Sequence, residues 1–156
     1  MARRTHIEVE PGKVLSRLDG VEAEAVAAAW LGVFAREPAP GMSQYLWHVF
    51  SYGSYPNVAL VKAQAEYEAC ESPEYVVLSN ERKQVIITDQ KPSSCSLSDY
   101  YVFPKNLAWT MAITHEDGWL GPYFAKHPEF AKLNEANQRT LKKAKEAAEA
   151  KRKGYW

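Results

Sequence analysis

Two histidines and two acids in this chain are of the types that transfer protons or bind metal ions. His48 lies in the aromatic segment YLWHVFSY, and His115, Glu116 and Asp117 lie together in the segment THEDGWLGPYF. Imidazole titrates near neutral pH, and two histidines with one carboxylate can hold a divalent metal or share general acid–base work. These residues form the candidate catalytic group, provided that the fold brings them together.

The usual sequence signatures of metal and nucleotide sites are missing from the chain. It contains no HExxH motif, no metal-type spacing of histidine and cysteine, no Walker A loop and no GxGxxG fingerprint. A buried histidine also commonly bonds only a backbone carbonyl or a tyrosine hydroxyl. We therefore predict no metal site and no cofactor such as ATP or NAD, and we favour a structural role for His48 and His115 over catalysis.

Nucleophilic catalysis has weak support in the sequence. Ser51 lies in FSYGS rather than in a GxSxG elbow, and neither Cys70 nor Cys95 belongs to a catalytic signature. Two cysteines without a CxxC motif or a secretory framework are typical of reduced thiols in a reducing compartment. We expect both cysteines to act as small structural side chains.

The composition indicates a folded domain without a whole-chain electrostatic bias. The chain has 156 residues, of which 46% are hydrophobic and 24% are charged, and this length usually forms one domain. Basic and acidic residues both number 19, so nucleic acid and acidic membranes are not the default partners. Because no signal peptide and no membrane-spanning run is apparent, we expect a cytoplasmic protein that does not contact a membrane.

The first half of the chain is predicted to form two helices on either side of a strand. An alanine-rich segment after Asp19 has the pattern of a helix, with Val21 and Phe34 on its apolar side and the aspartate as N-cap. Residues 45–52 are dense in aromatic and β-branched side chains, which predicts an inner strand with His48 on an apolar face. The segment VALVKAQAEYEAC that follows is the second predicted helix.

The second half is predicted to be mainly a sheet. The runs EYVVLSN and QVIITDQ have the pattern of a β-hairpin, and YYVFP and LAWTMAITHE predict another strand pair. Alternation along the last strand places Trp109, Met111, Ile113 and His115 on one face. If the strand that carries His48 is adjacent in the same sheet, the two imidazoles meet. The predicted fold class is α+β, an antiparallel or mixed sheet of about five strands with flanking helices and a long C-terminal helix.

The C-terminal segment is predicted to be a helix with a local excess of positive charge. It is rich in alanine, lysine and glutamate, and Pro128 occupies a favourable first-turn position. Its apolar positions thin out after Leu141, so we expect the first turns to pack on the domain and the last to project or to meet a second copy of the chain. We therefore divide the chain into one α+β domain over residues 1–127 and a basic helix over residues 128–156.

Aromatic residues near predicted strand ends are candidates for a contact surface. The glycines at 118 and 121 with Pro122 most simply form a tight corner that folds neighbouring aromatics back onto the sheet. Alternatively, the corner lines a pocket or an interface, because tryptophan and tyrosine combine a large contact area with a polar group. The candidate binding residues are Trp47, Tyr52, Tyr55, Trp119, Tyr123 and Phe124.

Two blocks of the sequence resemble a small bacterial family that is known only as a domain of unknown function. YLWHVFSY matches the pattern YLWHxFSY, and WTMAITHEDGWLGPYF matches the pattern WTxxxTHExxxxGPYF. Together the blocks frame residues 45–124, about half of the chain. The resemblance implies a small stand-alone protein of bacterial cells and no particular activity. The basic helix beyond Phe124 exceeds the pattern of this family.

Three classes of function are compatible with these observations. In the absence of a strong catalytic motif, we expect the protein to bind another protein, for instance as an immunity or antitoxin-like inhibitor. The first alternative is a hydrolase or metal-dependent enzyme centred on His48 and His115. The second is nucleic-acid binding through the basic C-terminal helix, which the balanced charge of the whole chain disfavours.

Overall fold

The fold is built around an antiparallel sheet with helices on both of its faces. The computed structural model describes residues 7–36, 41, 44–116 and 119–154. Its strands are β1 (Val9–Glu10), β2 (Val14–Asp19), β3 (Val58–Ala59), β4 (Tyr75–Ser79), β5 (Gln84–Thr88), β6 (Ser94–Cys95), β7 (Tyr100–Phe103), β8 (Trp109–Ile113) and β9 (Tyr123–Lys126). Its helices are α1 (Gly20–Phe34), α2 (His48–Ser51), α3 (Val61–Ala69) and α4 (Phe130–Arg152).

The main sheet has seven strands in the order β2-β5-β4-β7-β8-β9-β3, and β1 pairs with β6 in a separate small sheet. All neighbouring strands are antiparallel. Both predicted strand pairs are present, as β4 with β5 and as β7 with β8. The α+β prediction is confirmed. The sheet has seven strands rather than about five, because β2, β3 and β9 were not predicted, while the strand predicted over residues 45–52 is not part of it.

Alternation along the strands separates two apolar layers, one on each side of the sheet. Val76 and Leu78 of β4 pack with α1 and α2 in the first layer, whereas Val77 belongs to the second layer with α3. Successive strand residues face opposite sides of a sheet, so β4, which is buried throughout, presents large apolar or aromatic side chains to both layers from Tyr75 to Leu78. The buried hydroxyl of Ser79 at its end accepts backbone hydrogen bonds. Phe130 and Leu133 attach the first turns of α4 to the second layer.

Helix α1 occurs where the sequence predicts it, and Phe34 is buried as predicted, but the rest of its buried face differs from the predicted one. Val21 is 82% exposed, and Asp19 takes the N-cap position without a side-chain capping hydrogen bond. In a helix made largely of alanine, several faces look apolar, and the few large side chains decide which face is buried. The buried residues are Ala23, Ala27, Trp30 and Phe34.

The prediction of a strand over residues 45–52 is wrong. The chain turns at residues 46 and 47 and forms the single helical turn α2. The buried residues Leu46, Val49 and Phe50 are separated by three and four positions, which is the spacing of a helix face. A short apolar aromatic run fits a strand and a buried helical turn equally well, and packing under α1 selects the helix here. His48 therefore does not lie on a sheet face.

The prediction that His115 extends the apolar row of β8 is also wrong. The strand ends at Ile113, and the hydroxyl of Thr114 donates a hydrogen bond to the carbonyl of Leu120. Trp109 packs in the second layer, whereas the ring of His115 lies against Trp47, which belongs to the first layer. The period-two alternation therefore stops before it reaches the histidine.

The two halves of α4 have different surroundings. Asn137 is buried and exchanges side-chain hydrogen bonds of 3.0 and 3.2 Å with Asn106. Residues 142–149 are exposed.

Across the described ranges, no helix combines the length and the apolar character needed to cross a membrane.

Candidate functional site

Asp99 is the centre of a hydrogen-bond network that holds His115. Its Oδ1 atom accepts hydrogen bonds from the backbone nitrogen (3.1 Å) and from Nδ1 (2.9 Å) of His115. The same oxygen accepts a bond of 3.0 Å from Nε1 of Trp47, and the Asp99 side chain is only 10% exposed. A carboxylate can only accept such bonds, so Nδ1 of His115 carries a proton and Nε2 is turned away from Asp99.

The pairing of β7 with β8 brings Asp99 and His115 together. Tyr100 lies opposite Ile113 in the sheet, so the chain that enters β7 runs beside the chain that leaves β8. Tyr101 fixes the third partner, because its hydroxyl accepts a hydrogen bond of 3.0 Å from the backbone nitrogen of Trp47. The residues therefore meet at one end of the sheet although they are far apart in sequence.

His48 is held by its own helical turn. Its Nδ1 atom is 3.0 Å from Oγ of Ser51, and that hydroxyl lies 3.3 Å from the backbone oxygen of His48. A hydroxyl has one proton, so when it donates to the carbonyl it must accept from Nδ1. In the neutral imidazole this arrangement leaves Nε2 of His48 as an unprotonated acceptor.

Aromatic rings join the two histidines. The ring centroid of Tyr45 is 5.0 Å from that of His115 and 5.8 Å from that of His48. The ring of Trp47 is 4.3 Å from that of His48 and 6.1 Å from that of His115. The ring of Tyr52 is 5.2 Å from that of His48. Both imidazoles therefore border the same small group of rings.

The turn after β8 adds a carboxylate and an exposed indole. Oε1 of Glu116 is 3.9 Å from Nε2 of His115. The backbone nitrogen of Trp119 donates a hydrogen bond of 3.0 Å to the carbonyl of Glu116, which keeps the tryptophan in the same turn. We define the aromatic–histidine face as Tyr45, His48, Tyr52, His115, Glu116 and Trp119.

The pKa values of the two imidazoles are shifted in opposite directions. Burial lowers the pKa of His48 below 6.5, with Glu116 opposing and His115 reinforcing the shift. The hydrogen bond to Asp99 raises the pKa of His115 above 6.5, and the charges of Asp99 and Glu116 act in the same direction. The structure therefore brings His48, His115 and Glu116 within electrostatic reach of one another.

The candidate catalytic group is only partly covered by the structure. Asp117 lies outside the described residues. Among the residues that are described, no group of three or more histidines, cysteines, aspartates or glutamates lies close enough together to hold a metal ion. The arrangement present is a pair of imidazoles with one oriented by a carboxylate, and such a pair can bind hydrogen-bonding groups or transfer protons.

The aromatic residues predicted to bind a partner differ in exposure. Trp119 is 76% and Tyr52 is 59% exposed, whereas Tyr55 is half-buried and its hydroxyl donates to the carbonyl of Lys126. Side chains that pack inside the two layers support the fold from beneath and cannot reach a partner. The buried members are Trp47, Tyr123 and Phe124.

The sequence reasoning missed Asp99 and Tyr45 as members of the site. Asp99 lies in a turn-forming segment and directly precedes the strand YYVFP. The signal was present in the predicted strand pair, because antiparallel pairing of that strand with the one ending in THE places Asp99 near His115. In the strand predicted over residues 45–52, Tyr45 and His48 are three positions apart and would face opposite sides, but that strand does not form.

We expect the contribution of His115 to stability to depend on pH. Its pKa is higher in the folded chain than the ordinary 6.5, so its stabilisation is complete below the unfolded pKa and is lost as the pH rises through the folded value. Urea unfolding should show a larger destabilisation by His115→Gln at about pH 5.5 than at about pH 8.5.

His48→Gln is the matched control, and it should show the opposite trend. Burial lowers the pKa of His48, so the contribution of this residue is present above the unfolded pKa and is lost as the pH falls through the folded value. If each substitution lowered the free energy of unfolding equally at both pH values, the opposite pKa shifts of the two rings would be contradicted.

One family model matches this chain over residues 33–124, and it is described as Domain of unknown function (DUF4275). The match covers more than half of the chain and includes α2, Asp99 and His115, and it confirms the resemblance to a domain of unknown function. It ends before α4 begins. No curated protein and no solved structure matches the chain.

Proposed function

The chain belongs to the DUF4275 family, a domain of unknown function, and we propose that it is a protein-binding module that uses the aromatic–histidine face. The exposure of Trp119 (76%) and Tyr52 (59%) carries this proposal, because Trp119 lies in the turn that contains Glu116 and Tyr52 packs against the ring of His48. Tryptophan and tyrosine are enriched among the residues that dominate the binding energy of protein interfaces. Two such side chains, on the segments that also carry the oriented imidazoles, fit a contact surface better than an isolated exposed ring does.

The rigidity of the support beneath the face favours this function. Trp47 is 1% exposed and bonds both Asp99 and Tyr101. A partner therefore meets rings whose support is already ordered in the free protein. Pre-ordered contact groups lower the entropic cost of association, so more of the contact energy appears as affinity.

A polar cleft beside Tyr45 extends the face. It has a volume of about 380 Å³ and is lined by Gln44, Tyr45, Asn80, Glu81 and Arg82. A negative side chain, Glu81, and a positive one, Arg82, border it together with neutral hydrogen-bonding groups. The polar rim of many interfaces has a similar composition. A side chain of a partner can enter this cleft while the exposed rings cover the surface around it.

We propose inhibition of the immunity or antitoxin kind as the form that this binding takes. An inhibitor of this kind acts by occupying its partner, so it needs a rigid contact surface rather than an enclosed pocket of its own. The aromatic–histidine face is open and carries donors, acceptors and apolar rings, which satisfies that requirement. A cognate toxin or enzyme of the same cell is the expected partner.

We expect Trp119→Ala to weaken capture of the partner by roughly 30-fold, or about 2 kcal/mol, the loss typical of an interface hot spot. The measurement is affinity purification of the tagged full chain from its own cell extract with mass spectrometry, followed by titration of the partner that is found. Tyr52→Ala should give a loss in the same direction. Both residues are exposed, so the stability of the fold should not change.

Val21→Ala is the matched control for this experiment. Val21 is 82% exposed in the first turn of α1, next to the β2 edge of the sheet. The proposal predicts that the wild type and Val21→Ala retain the partner in stoichiometric amount while both aromatic variants lose it. Equal retention by all four proteins, or recovery of the tagged chain alone, would overturn it.

A further inference from the structure

We propose that His48 and His115 also form a general acid–base pair that hydrolyses neutral carboxylic esters with an aromatic or apolar group. This activity does not rest on the binding of a partner protein. Each imidazole uses Nδ1 to hold its position, through Ser51 and Asp99 respectively, and among the described residues no hydrogen bond occupies either Nε2 atom. Two oriented imidazoles beside the same rings supply the two proton transfers that ester hydrolysis requires.

The hydrogen bonds assign the two roles. Ser51 accepts from Nδ1 of His48 while donating to a carbonyl, so Nε2 of His48 has a free lone pair and acts as the base. Asp99 accepts from Nδ1 of His115 and stabilises the positively charged ring, so Nε2 of His115 carries a proton and acts as the acid. In acid–base sites, the surroundings typically shift the pKa values of two neighbouring titratable groups in opposite directions.

Asp99 is a positioning residue in this proposal. It does not reach the substrate, because its side chain is 10% exposed and is occupied by Trp47 and His115. Its effect is to fix the ring plane of His115 and to raise the pKa of that ring, which favours the protonated form. A similar carboxylate partner orients histidines in many acid–base sites.

The surroundings select a neutral substrate. Glu116 lies 3.9 Å from Nε2 of His115, and its carboxylate repels an anionic group such as a phosphodiester. Tyr45 and Tyr52 provide aromatic surface on which an apolar or aromatic part of the ester can pack. An uncharged ester with an aromatic leaving group therefore fits the site.

The reaction consumes one water and resets both histidines. Nε2 of His48 takes a proton from water as the water oxygen bonds to the acyl carbon. The bond from that carbon to the leaving oxygen breaks, and the leaving oxygen takes the proton from Nε2 of His115. The products are a carboxylic acid and an alcohol, and proton exchange with solvent returns His48 to its neutral form and His115 to its protonated form.

The charges that face the pair define the expected pH profile. Glu116 and His115 act on His48, and Asp99 and Glu116 act on His115. The reaction needs neutral His48 and protonated His115, whose pKa values lie below and above 6.5 respectively. The rate should therefore follow a bell-shaped curve, whose acid limb reports the lowered pKa of His48 and whose alkaline limb reports the raised pKa of His115.

The test uses the full chain with phenyl acetate, a neutral aromatic ester whose phenoxide leaving group is basic enough to take a proton from His115. We expect kcat/KM to exceed the rate constant of free imidazole by about 100-fold or more, and to fall by about 100-fold in His48→Ala and in His115→Ala. His127→Ala is the control for adventitious imidazole chemistry, because His127 lies before α4 and its Nδ1 accepts from the backbone of Glu129. That variant should keep the full rate.

Asp99→Asn separates a positioning role from a merely structural one. The neutral amide no longer stabilises the charged imidazole, so the alkaline limb of the pH profile should move to lower pH while the acid limb stays. A lower rate with both limbs unmoved would overturn the role of Asp99. A rate no greater than that of free imidazole, or an equal loss in His127→Ala, would overturn the activity as a whole.

Discussion

Asp99→Ala is expected to lower the free energy of unfolding by about 3 kcal/mol. The substitution removes the acceptor of the Trp47 indole, whose side chain is 1% exposed, and leaves its N–H buried without a partner. It also releases the backbone and the ring of His115. A buried donor without an acceptor costs about 1–3 kcal/mol, and bonds to a charged group are stronger than neutral ones. Urea unfolding at neutral pH measures the difference.

A double-mutant cycle tests the reason for this loss. Trp47→Phe removes the indole donor, so Asp99→Ala should cost less in that background than in the wild type. Asp99→Asn keeps an oxygen that can accept from the indole and should cost about half as much as the alanine change. Additive effects of the Trp47 and Asp99 substitutions would show that the indole bond contributes nothing to stability.

The strand pairs were predictable because each is specified locally. The runs that became β4 and β5 are close in sequence, apolar and rich in β-branched residues, with a short polar connection of residues 80–83. The pairing of β2 with β5 has no such signal, because it joins segments about 70 residues apart and most of β2 is exposed. Long-range pairing depends on the whole apolar layer, which a window of sequence does not contain.

Helix α2 shows why a rich aromatic segment misleads. Strand propensity measures how well a side chain fits a half-buried pleated surface, and the same aromatic residues fit a buried helical turn. The spacing of Leu46, Val49 and Phe50 was the better signal, because three and four positions separate neighbours on a helix face. The prediction followed the aromatic composition, which favoured a strand. The spacing of the apolar residues indicated the helical turn that the structure contains.

Residue types alone predicted several members of the candidate site, but not the hydrogen bonds that hold them together. His48 and His115 stand out because histidine titrates near neutral pH. Glu116 stands out as a charged residue within an aromatic segment. Asp99 does not stand out among the polar residues of its turn, and its bonds to Trp47 and His115 span 52 and 16 positions. Only the paired strands and the anchored turn before α2 give this carboxylate its role.

Trp30 links the stability of the first layer to the geometry of the site. It is fully buried, and its ring lies 5.3 Å from Phe34, 5.8 Å from Phe50 and 5.0 Å from Tyr101. Tyr101 in turn holds the backbone of Trp47, which carries the indole bond to Asp99. A change at Trp30 therefore reaches the site through packed rings, without touching a histidine.

We expect Trp30→Ala to lower the free energy of unfolding by about 4 kcal/mol, because it removes a large buried side chain and leaves a cavity that its neighbours fill only in part. Trp30→Phe should cost less, since it keeps most of the ring volume and loses mainly the bond of 3.0 Å from Nε1 to Thr110. Thermal and urea unfolding measure both losses. A cost below about 2 kcal/mol for the alanine variant would mean that α1 slides to fill the space. In that case Tyr101 and Trp47 would shift with it, and the aromatic–histidine face would lose partner affinity even though all of its own residues are intact.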